Sequence, residues 1–304
     1  MSRATQRSQA IYNADPSVHA VVEELTGSLR LAGITDPRRS ATDVVAALLE
    51  VPRSWPVMNR ETSMDRALAS AAREAARKLS DGAPFAYAVG CTAFRHLNLM
   101  VDERVLIPRP ETEILVGEIL EIMNARRGAH GSWGTAIDIG TGSGAIALSL
   151  ASEGRFEKVI ATDASLDALD MAQSNAERCA SAIQTVVEFR RGAFLSPVLR
   201  EKASVLVSNP PYIAFSEIEA LPRSVRDWEP PVALFSGQDG MAATREIVRD
   251  GWRILSSGGV LALEVDERRA SLVAEMILLH GSYTDVGVRL DLTGRERFVF
   301  ATRL

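Results

Sequence analysis

The 304-residue chain predicts an α/β fold with a small all-helical portion ahead of it. Up to Leu79 the apolar residues recur at helical spacing. From Thr135 onward, short and almost wholly apolar runs alternate with helix-patterned ones, which implies a parallel sheet covered on both faces. The last two strand-like runs are joined only through L-T-G-R-E, too short for a crossover helix, so that pair is antiparallel.

In chain order, Asp15-Pro16 supplies an N-cap and a first-turn proline for a helix whose Val18, Val21, Val22, Leu25 and Leu29 share a face, and Gly33 closes it. A second helix runs from about Ala41 to the Pro52 breaker. A third runs from about Ser63 to Leu79, with Met64, Leu68, Ala71, Ala75 and Leu79 on one side, and ends before Gly82 and Pro84. Aromatic and β-branched residues from Phe85 to Leu106, broken at His96 and Asn98, predict a β-ribbon connector. The helix from Glu111 to about Arg126 carries Glu111 and Glu113 where the helix dipole favours negative charge. Strands and helices then alternate through T-A-I-D-I, A-I-A-L-S-L-A, V-I-A-T-D, A-L-D-M-A-Q-S-N-A, V-V-E-F, A-S-V-L-V-S-N and G-V-L-A-L-E-V, with final strands at Val286 to Leu290 and Arg297 to Thr302.

Composition excludes several classes. No apolar run approaches the ~18 residues of a membrane span, so a soluble, cytoplasmic protein is expected. Cys91 and Cys179 form no C-x-x-C pair and His19, His96, His130 and His280 are scattered, so neither a disulfide framework nor a metal site is expected. A net charge of −5 argues against a broad field of phosphate contacts, though not against a local basic patch. The opening M-S-R-A-T-Q-R-S-Q-A reads as a loose tail rather than a targeting segment.

D-I-G-T-G-S-G, Asp138 to Gly144, falls between a strand and a helix, at the sheet end where open α/β folds bind ligands. Its glycines, Gly140, Gly142 and Gly144, are spaced more tightly than a dinucleotide loop, and Asp138 would repel a pyrophosphate but attract a cation. The next strand ends at Asp163, placed to accept hydrogen bonds from ribose hydroxyls. Ribose without phosphate, plus a positive group, describes S-adenosylmethionine. The alternative is that the glycines only make a tight turn and that Asp163 caps the following helix.

A further strand ends in V-S-N-P-P-Y-I-A, so Asn209 lies on the same rim. Pro210 and Pro211 fix φ and remove donors, which leaves stiff, directed carbonyls. An amide or exocyclic NH2 is a poor nucleophile because its lone pair is delocalised. The Asn209 side-chain oxygen and the Pro210 carbonyl can grip its two hydrogens and stabilise the charge that develops during methyl transfer, and Tyr212 can stack on the planar group.

With N-P-P-Y-I, D-I-G-T-G-S-G and V-L-I-P-R-P-E-T-E, the sequence resembles the peptide chain release factor glutamine N5-methyltransferases from about Asp43 to the C-terminus. The resemblance implies a class I S-adenosylmethionine-dependent methyltransferase, Rossmann-like, with a seven-stranded sheet. It implies methyl transfer to the glutamine of a release factor's Gly-Gly-Gln loop. The implied organisation is a helical substrate-recognition domain over residues 1–84, a β-hairpin linker over 85–108 and a methyltransferase domain over 109–304. Asp138, Gly140, Thr141, Gly142, Ser143 and Gly144, with Asp163, Phe194 and Asn209, are the implied cofactor-binding residues. Asn209, Pro210 and Tyr212 are implied as catalytic, with Pro211 joining them in holding the glutamine, and Pro108, Arg109 and Glu111 close to the same cleft. Two departures stand out: Gly192-Ala193 replace an acid and a large apolar residue, with Phe194 next to substitute, and Val265-Asp266 follow L-A-L-E where Ile-Gly is usual. The expected protein is a monomer acting on release factors without direct nucleic-acid contact. A ribosomal-protein glutamine methyltransferase, a nucleic-acid amino methyltransferase and a non-catalytic cofactor-binding scaffold are the alternatives.

Overall fold

The computed structural model describes residues 15–127 and 131–304, which fall into two compact units divided between Cys91 and Thr92. The opening ten residues and His130 lie outside the described residues.

In the first unit, α1 (Val18–Leu31), α2 (Pro37–Leu48) and α4 (Arg66–Ser80) enclose a core that includes Val21, Leu25, Leu29, Val44, Val45 and Ala72. The helix starts differ from the expectation. Ser17, not Asp15, caps α1, its hydroxyl accepting from Ala20 N at 3.2 Å. Pro16 stays outside the helix because its carbonyl accepts from Met64 N at 2.8 Å, beside a bridge between Ser17 and Ser63. α2 begins at Pro37, ahead of Ala41. α4 begins after Ser63 because Asp65 takes the cap, accepting from Ala67 N at 2.7 Å. Its buried face is Ala69, Ala72, Ala75 and Ala76, while Ala71 is exposed.

Among the described residues of the first unit, two short helices depart from the expectation, α3 (Trp55–Met58) and α5 (Phe85–Val89). The second occupies the start of the expected ribbon and ends at Gly90, whose φ of 78° is a left-handed helix stop. The ribbon itself is confined to β1 (Cys91–Phe94) and β2 (Leu97–Met100).

The second unit is built on a seven-stranded sheet in the order β5-β4-β3-β6-β7-β9-β8. The strands are β3 (Thr135–Ile139), β4 (Lys158–Asp163), β5 (Val186–Arg191), β6 (Ala203–Ser208), β7 (Leu255–Glu264), β8 (Tyr283–Leu290) and β9 (Glu296–Arg303). The first five in sheet order are parallel, and β9 runs antiparallel to both β7 and β8. Alternate residues of each strand enter opposite layers, as the two-residue period of a strand requires. Ala136, Val159, Val205 and Val207 pack with Leu115 and Ile119 of α6 (Pro110–Arg127) and Leu148 of α7 (Ala145–Glu153). Ile137, Ile160, Leu206 and Leu261 pack on the other face, with Ile247 of α9 (Ala242–Gly251) and Ile277 of α10 (Ala270–His280). Both faces are therefore apolar, which is why these strands are legible as continuous apolar runs.

The order reverses between β3 and β6, the switch point at which open α/β sheets hold ligands. In the β3 register, Ile139 lies beside both Thr162 and Ser208, so Gly140, Asp163 and Asn209 leave their strands at one level. Among the described residues, no helix is long and apolar enough to cross a membrane.

Candidate active site

At this rim lies a cavity of about 370 Å³, walled by residues of the second unit alone. The glycine loop forms one wall: Gly140, Thr141, Gly142 and Ser143 line it, while Gly144 sits behind as the N-terminal boundary of α7. Gly144 has φ +85°, and a Cβ there would lie 3.0 Å from Leu148 Cδ1 and 3.3 Å from the Ala172 Cβ, so only glycine permits this approach.

Asp138 is fully buried under the loop. Its Oδ2 accepts from the Thr141 hydroxyl at 2.7 Å and from Ala147 N at 3.2 Å, while Oδ1 has no partner. Burial pushes this carboxyl up to about 7, against the pull of those two donors. Asp163 lines the cavity and straps the loop: its Oδ2 accepts from Gly142 N and its Oδ1 from Ser165 N, both at 2.9 Å. Ser165, rather than Asp163, is the N-cap of α8 (Leu166–Arg178), accepting from Ala168 N at 3.2 Å.

Phe194 also lines the cavity, at φ 49° and 40% exposed. A large side chain held in the left-handed region marks a position constrained by its surroundings. Gly192 is equally constrained, because a Cβ there would sit 2.8 Å from both Pro197 Cδ and Ser196 Oγ. The chain that departs from the family pattern at Gly192-Ala193 thus turns tightly and presents Phe194 to the cavity.

Opposite stands the N-P-P-Y corner. Asn209, Pro210 and Pro211 line the cavity; Tyr212 is not among its lining residues, and burial pushes its phenol up to about 12. The backbone beyond is zipped to residues 234–237: Ile213 N donates to Leu234 O at 3.0 Å and Ser236 N to Ile213 O at 2.9 Å. Pro108, Arg109 and Thr112 line the near side, whereas Glu111 does not. Arg109 donates to both oxygens of Glu229, a buried carboxylate, at 2.6 and 2.7 Å, and so locks the E-P-P-V segment in place. Three residues here escaped the sequence reading. Asn209 Nδ2 donates to Thr112 Oγ1 at 3.3 Å, and that hydroxyl donates to Glu264 Oε2 at 2.7 Å. Burial raises Glu264 to about 7, against the pull of the Thr112 hydroxyl. Glu264 gave a readable signal, an acid ending the apolar run of β7, and Thr112 gave none. The third is Asn175, whose amide nitrogen donates to Ser143 O at 2.9 Å and to Met100 O at 3.0 Å, tying the glycine loop to the last residue of β2.

Known proteins with related sequences decide the family. Residues 20–90 match the PrmC N-terminal domain and residues 118–221 the Methyltransferase small domain. The release factor glutamine methyltransferase of Rhodopirellula baltica is 35% identical over 93% of this chain and 95% of its own length. That of Mycolicibacterium smegmatis is 36% identical, over 94% and 98%. The chain belongs to the release factor glutamine methyltransferase family. A methyltransferase from Pyrococcus furiosus superposes with a TM-score of 0.50 at 19% identity, covering 69% of this chain and 90% of that one, which shows the shared fold.

Members of this family use S-adenosylmethionine as methyl donor. The residues present fit it: an orphaned buried carboxylate oxygen lies under a glycine cradle, an acid lines the cavity one strand away, and an aromatic ring stands beside it. A ribose and a flat base would each find the group its chemistry requires at the cavity wall, whereas Asp138 is not among the lining residues and would act on a cation from beneath the loop.

Proposed function

We propose that this chain methylates the side-chain amide nitrogen of the glutamine in the Gly-Gly-Gln loop of peptide chain release factors. The observation that carries the proposal is the pinning of Asn209. Its amide nitrogen is engaged by Thr112, which leaves Oδ1 as the end free to accept a hydrogen at the cavity wall. S-adenosylmethionine, when bound, supplies an electrophilic methyl group; Gly140 to Gly144, Asp138, Asp163 and Phe194 would hold it. Asn209 Oδ1 and the Pro210 carbonyl accept the two hydrogens of the glutamine NH2, orient its lone pair and stabilise the positive charge it gains. Positioning of this kind is worth about 7–11 kcal/mol of a barrier. No general base is required, because the N-methylated amide loses its extra proton readily to water.

In this reading residues 1–84 recognise the protein substrate, 85–108 link, and 109–304 catalyse. The net charge of −5 favours a protein partner over direct contact with nucleic acid, and the chain acts as a cytoplasmic monomer. Label transfer from the methyl donor tests the reading on three acceptors: a release factor, the same factor with its loop glutamine replaced by alanine, and ribosomal RNA. Label should enter the first alone. Equal labelling of the alanine variant, or labelling of the RNA, would overturn it.

A further inference from the structure

An asparagine amide has two ends of nearly equal size, and its last torsion has a broad, two-fold profile, so the torsion itself does not choose which end faces a ligand. For Asn209 the choice is decisive. Oδ1 toward a substrate NH2 makes a hydrogen bond, whereas Nδ2 there sets donor against donor.

The groups behind Asn209 make that choice. Glu264 ends β7 and is 1% exposed; its Oε2 lies 2.7 Å from Thr112 Oγ1. In its ionised form Glu264 only accepts, and the Thr112 proton is then committed to it. Toward Asn209 the Thr112 oxygen then offers lone pairs alone, and the asparagine must present Nδ2, as it does at 3.3 Å. Thr112 lies in the first turn of α6, yet its hydroxyl serves this chain of contacts and not a helix cap. The charged groups acting on Glu264 are Arg297 on β9 and Arg109 and Glu111 ahead of and within α6.

We infer that Glu264 and Thr112 form a directional relay that fixes the Asn209 amide with its oxygen toward the substrate, making both of them positioning residues. The inference rests on the reading of Asn209 as the group that grips the glutamine amide. A buried carboxylate is costly for a fold, and a leucine would fill the end of β7 more cheaply. Its presence follows from the need for an obligate acceptor at the start of the relay. With glutamine at 264 the polarity is no longer forced: its NH2 can donate to Thr112, whose hydroxyl is then free to donate to Asn209, and the amide can turn.

The test compares Thr112→Val, which keeps the shape and removes the hydroxyl, with Thr112→Ser, which keeps the hydroxyl, and adds Glu264→Gln. Thr112→Val and Glu264→Gln are expected to lower kcat on release factor by about 10- to 100-fold, the scale of a misplacement near 1 Å. KM for release factor and Kd for S-adenosylmethionine should stay within about threefold, and Thr112→Ser should recover most of the loss in kcat. A second readout needs neither donor nor acceptor. In protein labelled with heavy nitrogen at asparagine side chains, the Asn209 NH2 signal, identified by its absence in Asn209→Ala, should show one proton slowed in exchange. That protection should vanish in Thr112→Val and persist in Thr112→Ser. An unchanged kcat in Thr112→Val, a Thr112→Ser variant as slow as the valine, or an Asn209 signal indifferent to Thr112→Val would each overturn the relay. Failure of the wild-type protein to methylate release factor would instead remove the functional reading, while the resonance experiment would still decide the relay.

Discussion

Asp138 is where electrostatics would bear on the proposed cofactor binding. With one oxygen unpartnered and a carboxyl raised to about 7, it is part neutral in the free protein near neutrality. A cationic ligand favours the ionised form, so affinity for S-adenosylmethionine is expected to rise between pH 6 and 8, and Asp138→Asn to flatten that rise; calorimetry at three pH values checks it. For folding the sign is opposite. Asp138, 3.8 in an unfolded chain and about 7 here, and Glu264, 4.5 and about 7, keep protons the unfolded chain has lost. Their contribution therefore makes stability fall as pH rises from about 4 to about 7. The urea midpoint of the ligand-free protein should fall less from pH 5 to pH 8 in Asp138→Asn than in the wild type; an identical fall would contradict the assignment. Asp163→Ala should weaken cofactor binding by about 1.5–3 kcal/mol, the loss of a hydrogen bond to a charged acceptor. Because Asp163 also straps Gly142 N, Asp163→Asn is the comparison that separates ribose contact from loop support. An unchanged Kd in both would place the ribose elsewhere.

At the level of elements, the N-P-P-Y corner owes its rigidity to its neighbours as much as to its prolines. Gly240 has φ +74°, and a Cβ there would stand 2.3 Å from the Tyr212 carbonyl oxygen. Gly258, at φ +76° with nothing within 4 Å, isolates the backbone strain alone. Gly258→Ala should cost on the order of 1 kcal/mol. Gly240→Ala should cost more and also lower kcat, read by denaturant midpoints and initial rates; equal effects would mean that the corner tolerates displacement. The sheet was legible because strands covered on both faces must be apolar throughout, and the glycine loop, Asp163 and Asn209 were legible because each follows such a run. Helix starts were not, since Asp15 and Ser17 both favour a cap, Pro16 suits a first turn, and only the pairing of Ser17 with Ser63 chooses among them. An alanine-rich helix likewise offers several near-equivalent faces, which is why Ala71 was misassigned. Thr112 was invisible because its role depends on Asn209 and Glu264, distant in sequence and joined only by the fold.

Considered as a whole, the molecule comprises two compact units, each with its own core. Every residue lining the cavity belongs to the second. A fragment spanning Thr92–Leu304 is therefore expected to bind S-adenosylmethionine within about threefold of the full chain, while losing most of its activity on release factor, because the first unit is proposed to recognise that substrate. Full activity of the fragment would remove that role. The Asn209 corner is proposed to hold a glutamine amide for methylation. Tandem mass spectrometry of release factor after reaction with wild-type and Asn209→Ala protein tests it most directly. One added methyl on the side-chain nitrogen of the Gly-Gly-Gln glutamine, formed about 10²- to 10³-fold more slowly by the variant at unchanged cofactor affinity, is the outcome expected here. A methyl on another residue, or an undiminished rate in Asn209→Ala, would contradict it.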